Sequence, residues 1–167
     1  TWRYKTDELE TVINLETGRM DSLVIGGRQW LKPGAFALEV MESSGDTWGS
    51  LNDRYTDKVG EFVLADKQDN RHFSGITGEL NSVRVIESGE VRTIVEAVFS
   101  YEKSAACIRY FLPAQGTAVE IEVETDWNER RRFLKLNIPT TLEHAQAVSE
   151  TAFGIQTHEK TGKECVG

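Results

Sequence analysis

The chain has 167 residues, 39% hydrophobic and 28% charged, the length and composition of one globular domain able to bury a core. Its net charge of -8 excludes a nucleic-acid partner held by phosphate contacts, which would be repelled at long range. No apolar run reaches bilayer-spanning length, no basic-then-apolar leader opens the sequence, and Cys107 and Cys165 make neither a disulfide framework nor a metal spacing. A reduced, cytoplasmic protein is expected.

Taken in order, Trp2 to Leu9 reads as an entering edge strand. Thr11 to Leu15 and Met20 to Ile25 are apolar runs around Glu16-Thr17-Gly18-Arg19, where Gly18 can supply the positive φ of a tight reversal, so a β-hairpin is expected. Turns follow at Gly26-Gly27 and Pro33-Gly34. Ala35 to Met41 reads as a buried strand with Phe36, Leu38 and Val40 on one side. Residues 42 to 58 form the longest irregular segment, and a loop of that length in a compact domain commonly carries function. Glu61 to Leu64 is a short strand, and 66 to 78 is polar around His72 and Phe73.

From Leu80 onward strands come at sandwich spacing. Val83, Val85 and Ile86 precede a turn at 87 to 90, and Val91, Thr93, Val95, Ala97, Phe99 and Tyr101 then alternate against Arg92, Glu96 and Ser100. Cys107 to Leu112 is closed by Pro113 and Gly116. Val119, Ile121, Val123, Thr125 and Trp127 alternate with Glu120, Glu122, Glu124 and Asp126, the pattern of a half-buried strand with a wet acidic face. Residues 128 to 132 make a charged corner, Leu134, Leu136 and Ile138 resume the period of two, and Ala147 to Phe153 follows, ahead of a polar tail. Short alternating runs between Gly, Pro and Asp turns, with no sustained helical period, predict an all-β antiparallel β-sandwich with little or no helix, a single domain over 1–167.

Catalytic constellations are missing. No nucleophile elbow, phosphate loop or dinucleotide fingerprint occurs. His158-Glu159-Lys160-Thr161-Gly162 begins like a zinc helix, but Gly162 stands where the second histidine must be. His72, His144 and His158 are scattered among polar neighbours. Asp126 with Glu129, or Glu120 with Glu122, could be close together, yet with 27 acidic residues such pairs arise by chance. Asp46 and Trp48, in the long irregular segment, are the candidate substrate-binding residues only by family resemblance; an indole can stack on a sugar face while a neighbouring carboxylate takes its hydroxyls. The plain alternative is that Trp48 plugs one end of the sandwich. Trp127 ends an inward-facing alternation and is expected in the core.

Asp126-Trp127-Asn128-Glu129-Arg130, then Phe133-Leu134-Lys135-Leu136 and Pro139, resembles the signature of glycoside hydrolase family 38, the α-mannosidases, in their C-terminal β-sandwich region. Gly89 to Val95 is similar to the strand that precedes this signature, Asp46-Thr47-Trp48-Gly49 to an upstream Asp-x-Trp element, and Ala152-Phe153-Gly154-Ile155 to the strand that follows. The resemblance implies a galactose-mutarotase-like supersandwich excised from the C-terminal part of a larger retaining α-mannosidase. It also implies that the zinc and the catalytic carboxylates lie in a catalytic domain outside this sequence. On that reading this piece has no catalytic residue, cofactor or metal of its own and is inactive alone. Its partners are the catalytic domain of the same chain and, through the parent enzyme, an α-mannoside, with neither nucleic acid nor membrane. Two other functions fit a sandwich: a free-standing carbohydrate-binding module, whose exposed aromatics would give the isolated chain sugar affinity, and a mutarotase, which would need a histidine and a glutamate converging in one cleft.

Overall fold

The computed structural model describes residues 1–43, 55–67, 71–76 and 78–158. Among them are fourteen strands and no helix, so none that is long and apolar enough to cross a membrane. β1 (Trp2–Lys5), β2 (Leu9–Ile13), β3 (Met20–Ile25) and β4 (Arg28–Gln29) form one antiparallel sheet in chain order. β5 (Ala37–Glu42) lies between β6 (Lys58–Glu61) and β12 (Arg132–Asn137) in a second sheet. Bridges from Met20 to Ala35 and from Leu31 to Thr140 stitch these two sheets into one layer.

The other layer is built on β9 (Arg92–Tyr101) and β10 (Ser104–Pro113), two ten-residue strands paired along their whole length. Glu102 turns the corner between them at a φ of 45°. β11 (Glu120–Asp126) pairs with β10, while β8 (Val83–Ser88) and β7 (Val63–Leu64) share the far side of β9. Inward residues of both layers meet in one core: Ile13 and Met20, Leu38 and Val40, Val95, Ala97 and Phe99, and Ile108, Tyr110 and Leu112. This is an all-β sandwich of antiparallel sheets, as the alternation predicts. β13 (Ala147–Thr151) and β14 (Gly154–His158) make a separate hairpin.

Several elements differ in detail from the sequence reading. Glu61 to Leu64 is split: β6 ends at Glu61 and β7 starts at Val63, in different layers, with fully buried Phe62 between them. A chain that crosses from one sheet to the other must place a side chain between the two, and Phe62 fills that place. Phe36 lies in the core but at a φ of 67°, so the strand begins at Ala37 rather than Ala35. Val91 is in the β8–β9 turn and 80% exposed. The run from Ala147 turns back at Ala152-Phe153, and the following polar residues make β14.

The largest correction concerns β9. Its second face is not wet: Ile94, Glu96 and Val98 are buried there. Val98 packs with Ala65 and Cys107 in a second cluster, against which Phe73 lies. On the same face, register partners from four strands alternate in charge, Arg84 of β8, Glu96 of β9, Arg109 of β10 and Glu122 of β11. Arg84 and Arg109 both donate to Glu96, the latter at 2.8 Å, and Arg109 also reaches Glu122 and Glu124. Burial pushes the Glu96 carboxyl up, but Arg109 and Arg84 outweigh it and hold it below the usual range. Burial, with Glu96 nearby, pushes the Cys107 thiol up to about 12, so this cysteine is a packed, unreactive one.

Candidate functional site

The signature block is a structural corner. Trp127 packs on the core, stacked 6.3 Å from Phe62. Glu129 accepts from the Lys103 amide at 3.0 Å and from the Ser104 hydroxyl at 2.9 Å; Ser104 in turn accepts from the Asn128 amide at 2.9 Å. The Asn128 side chain donates to Asp126 and to the Lys103 carbonyl. The block therefore ties the exit of β11 to the β9–β10 turn, and Asp126 and Glu129 are engaged with different partners. Asp126 is also 2.9 Å from His72, which stacks edge-on against Phe73. Arg130 and Arg131 are exposed at the corner, where Arg131 adopts a φ of 54°.

A polar groove of about 600 Å³ lies on the outward face of the β12–β5–β6 sheet. Strand β5 supplies Glu39 and Met41, β6 supplies Lys58, and β12 supplies Lys135 and Asn137, while Tyr55 and Thr56 form one wall. Period-two geometry explains the convergence: Glu39 is opposite Lys135, Met41 opposite Phe133, and all point away from the core side occupied by Leu38 and Val40. Phe133 holds the Tyr55 ring edge-on at 5.7 Å.

Lys58 donates to Glu39 at 2.9 Å and to Glu61, and Asn137 donates to Glu39 at 3.1 Å. Arg19 pairs with the other side of Glu61. Hydrogen bonds donated to Glu61 and Glu39 hold the Lys58 ammonium above its ordinary value. Burial pushes Glu61 up, but Lys58 and Arg19 bring it below the ordinary carboxylate range. Both carboxylates are thus committed to cations. Glycoside hydrolysis needs one carboxyl kept protonated and a second free to attack or to activate water, and this pair offers neither. Lys135 carries no ion pair among the described residues. The groove can donate and accept hydrogen bonds and offer an aromatic edge.

Asp46 and Trp48 lie outside the described residues. His144 is exposed, and His158 sits 2.6 Å from Ser149 across the β13–β14 hairpin. Among the described residues no three His, Cys, Asp or Glu side chains gather as a metal-binding group. Sequence reasoning missed Tyr55, Lys58, Lys135 and Asn137; the one available signal was the charge match of Glu39 and Lys135 across paired strands, visible only once β12 is placed beside β5.

The family model of the glycosyl hydrolases family 38 C-terminal domain matches residues 6–165. The chain belongs to that family. No curated protein matches it.

Proposed function

We propose that this chain is the non-catalytic C-terminal β-sandwich of a family 38 α-mannosidase, 1–167 being one domain of a longer polypeptide that hydrolyses terminal α-mannosides with zinc in its catalytic domain. The domain packs on that catalytic domain, and the face bearing the groove helps to wall the sugar cleft. The observation that carries this reading is the family match over nearly the whole chain. It is supported by the groove's chemistry: Glu39, Lys135 and Asn137 offer the donors and acceptors that sugar hydroxyls take, beside the Tyr55 ring. Asp46 and Trp48 are the residues proposed to contact the sugar. Alone, the domain is inactive.

In the parent enzyme, Asp46→Ala and Trp48→Ala are expected to lower kcat/KM on an aryl α-mannoside by about tenfold, equivalent to about 1.4 kcal/mol of transition-state stabilisation. Lys135→Ala, which removes a single donor at the groove rim, has a smaller effect in the same direction. Unchanged kinetics in all three variants would remove the cleft-wall role and leave only the packing role.

A further inference from the structure

Charge in the groove of the β12–β5–β6 sheet balances except at one residue. Glu39 accepts from Lys58 at 2.9 Å and from Asn137 at 3.1 Å, and Glu61 accepts from Lys58 and Arg19. Two carboxylates and two cations therefore cancel. Lys135 is left over. It stands directly opposite Glu39 in the β5–β12 pairing, but Glu39 is already bonded to Lys58 and Asn137. The Lys135 ammonium has no ion pair among the described residues, in a chain whose net charge is -8. The rest of the lining is amphipathic. Met41, Leu136 and Ile138 give the groove an apolar side, the last two 40% and 43% exposed, and Tyr55 and Thr56 wall it. A side-chain amide has two N–H donors, and Asn137 uses one of them on Glu39.

We infer that the groove takes an acidic saccharide, a sugar ring bearing one carboxylate, with Lys135 holding that carboxylate; this deepens the cleft-wall reading and rests on it. A groove of about 600 Å³ has room for a sugar ring, and its mixed lining suits one. The apolar side receives the C–H face of the ring, while Asn137 and Thr56 meet its hydroxyls. One cation in excess selects one negative charge. A monoanion neutralises Lys135, whereas a dianion would set a second charge beside Glu39 and Glu61. A neutral glycoside strips water from the ammonium and returns no counter-charge, and a cationic one meets like charge. Lys135 is half-buried, so its bond to a carboxylate is less screened than one at the open surface.

The test titrates the 167-residue chain with methyl α-mannoside, the corresponding uronate and the uronamide, a neutral isostere of the carboxylate, and follows backbone amides by NMR. The uronate is expected to bind about fivefold to tenfold more tightly than either neutral ligand, with shifts at Glu39, Lys135 and Asn137. Lys135→Met is expected to bring the three ligands to equal affinity, and Lys135→Arg, which keeps the cation, to retain the preference. Equal affinities in the wild-type chain, or a preference that survives in Lys135→Met, overturn the inference. Acetate that displaces the uronate at equal concentration would reduce the site to a simple anion contact and overturn it as well. A neutral mannoside that binds the groove as well as the uronate removes the acid selection and leaves the cleft wall standing. Absence of any glycoside binding at the groove overturns the inference too. Joined to unchanged aryl α-mannoside hydrolysis by parent enzymes carrying Asp46→Ala, Trp48→Ala or Lys135→Ala, that absence removes the cleft wall as well.

Discussion

Gly18 shows how much a single position can carry. It closes the β2–β3 reversal at a φ of 70°, its amide donates to the Asn14 carbonyl at 2.8 Å, and its own carbonyl accepts the buried Tyr110 hydroxyl at 2.9 Å. A Cβ there would lie 2.7 Å from Leu64 Cδ2 and 2.9 Å from Phe99 Cζ. Gly18→Ala therefore combines a left-handed backbone penalty with overpacking of a core made from both layers, and is expected to cost about 2–4 kcal/mol in urea unfolding. Tyr110→Phe removes only the hydroxyl and should cost about 1–2 kcal/mol, part of it from the stranded Gly18 carbonyl. A Gly18→Ala midpoint equal to that of the parent chain would show that the turn relaxes without loss. The positive φ was legible from the sequence, because a glycine between two apolar runs has few other uses. The clash was not, since Leu64 and Phe99 come from distant strands.

Among the elements, the charge ladder across β8, β9, β10 and β11 is the feature whose energetics are most exposed to test. Glu96 is 4% exposed and relies on Arg84 and Arg109 for its charge. Arg109→Met should cost about 3 kcal/mol by leaving a buried carboxylate half-satisfied, whereas replacing Arg84, Glu96 and Arg109 together by apolar residues of similar volume should recover most of that loss. The pH dependence has a definite sign. The folded-state pKa of Glu96 lies below its unfolded value, so its contribution is present above about pH 4.3 and is lost as pH falls through the lowered folded value. The stability gap between the wild-type chain and Glu96→Gln should accordingly narrow as the solution is acidified below that point. A gap that stays constant down to unfolding would mean the arginines do not set the charge.

The same elements show why some of the fold was readable and some was not. The alternation in β11 is realised only in part: Glu120, Glu122 and Glu124 are exposed and Ile121 packs on the core, but Val123 and Thr125, on the same face as Ile121, are exposed too. In β9 the same reasoning treats Glu96 as a solvent marker, and it fails because two arginines from neighbouring strands let a carboxylate be buried. The β6 to β7 change of layer leaves no trace in the three-residue apolar run Phe62 to Leu64. The groove was illegible for a related reason: Glu39 and Asn137 are 98 residues apart and meet only through the pairing of β5 with β12. The Asp126 to Pro139 block, by contrast, is recognisable because a corner fastened by Asn128, Glu129 and Ser104 constrains side chains that are close in sequence.

For the molecule as a whole, two features fit one account. The sandwich has its own core, and the groove carboxylates Glu39 and Glu61 are paired with cations. Both suit a non-catalytic domain associated with a glycosidase of its family. The most direct test is to raise an antibody against this domain, precipitate its antigen from the source cells, and measure both its mass and its hydrolysis of an aryl α-mannoside with and without a chelator. The account predicts a polypeptide several times heavier than 18.8 kDa whose hydrolysis the chelator abolishes. An antigen of 18.8 kDa that binds sugar by itself and hydrolyses nothing would contradict it, and would make the chain a free-standing carbohydrate-binding module instead.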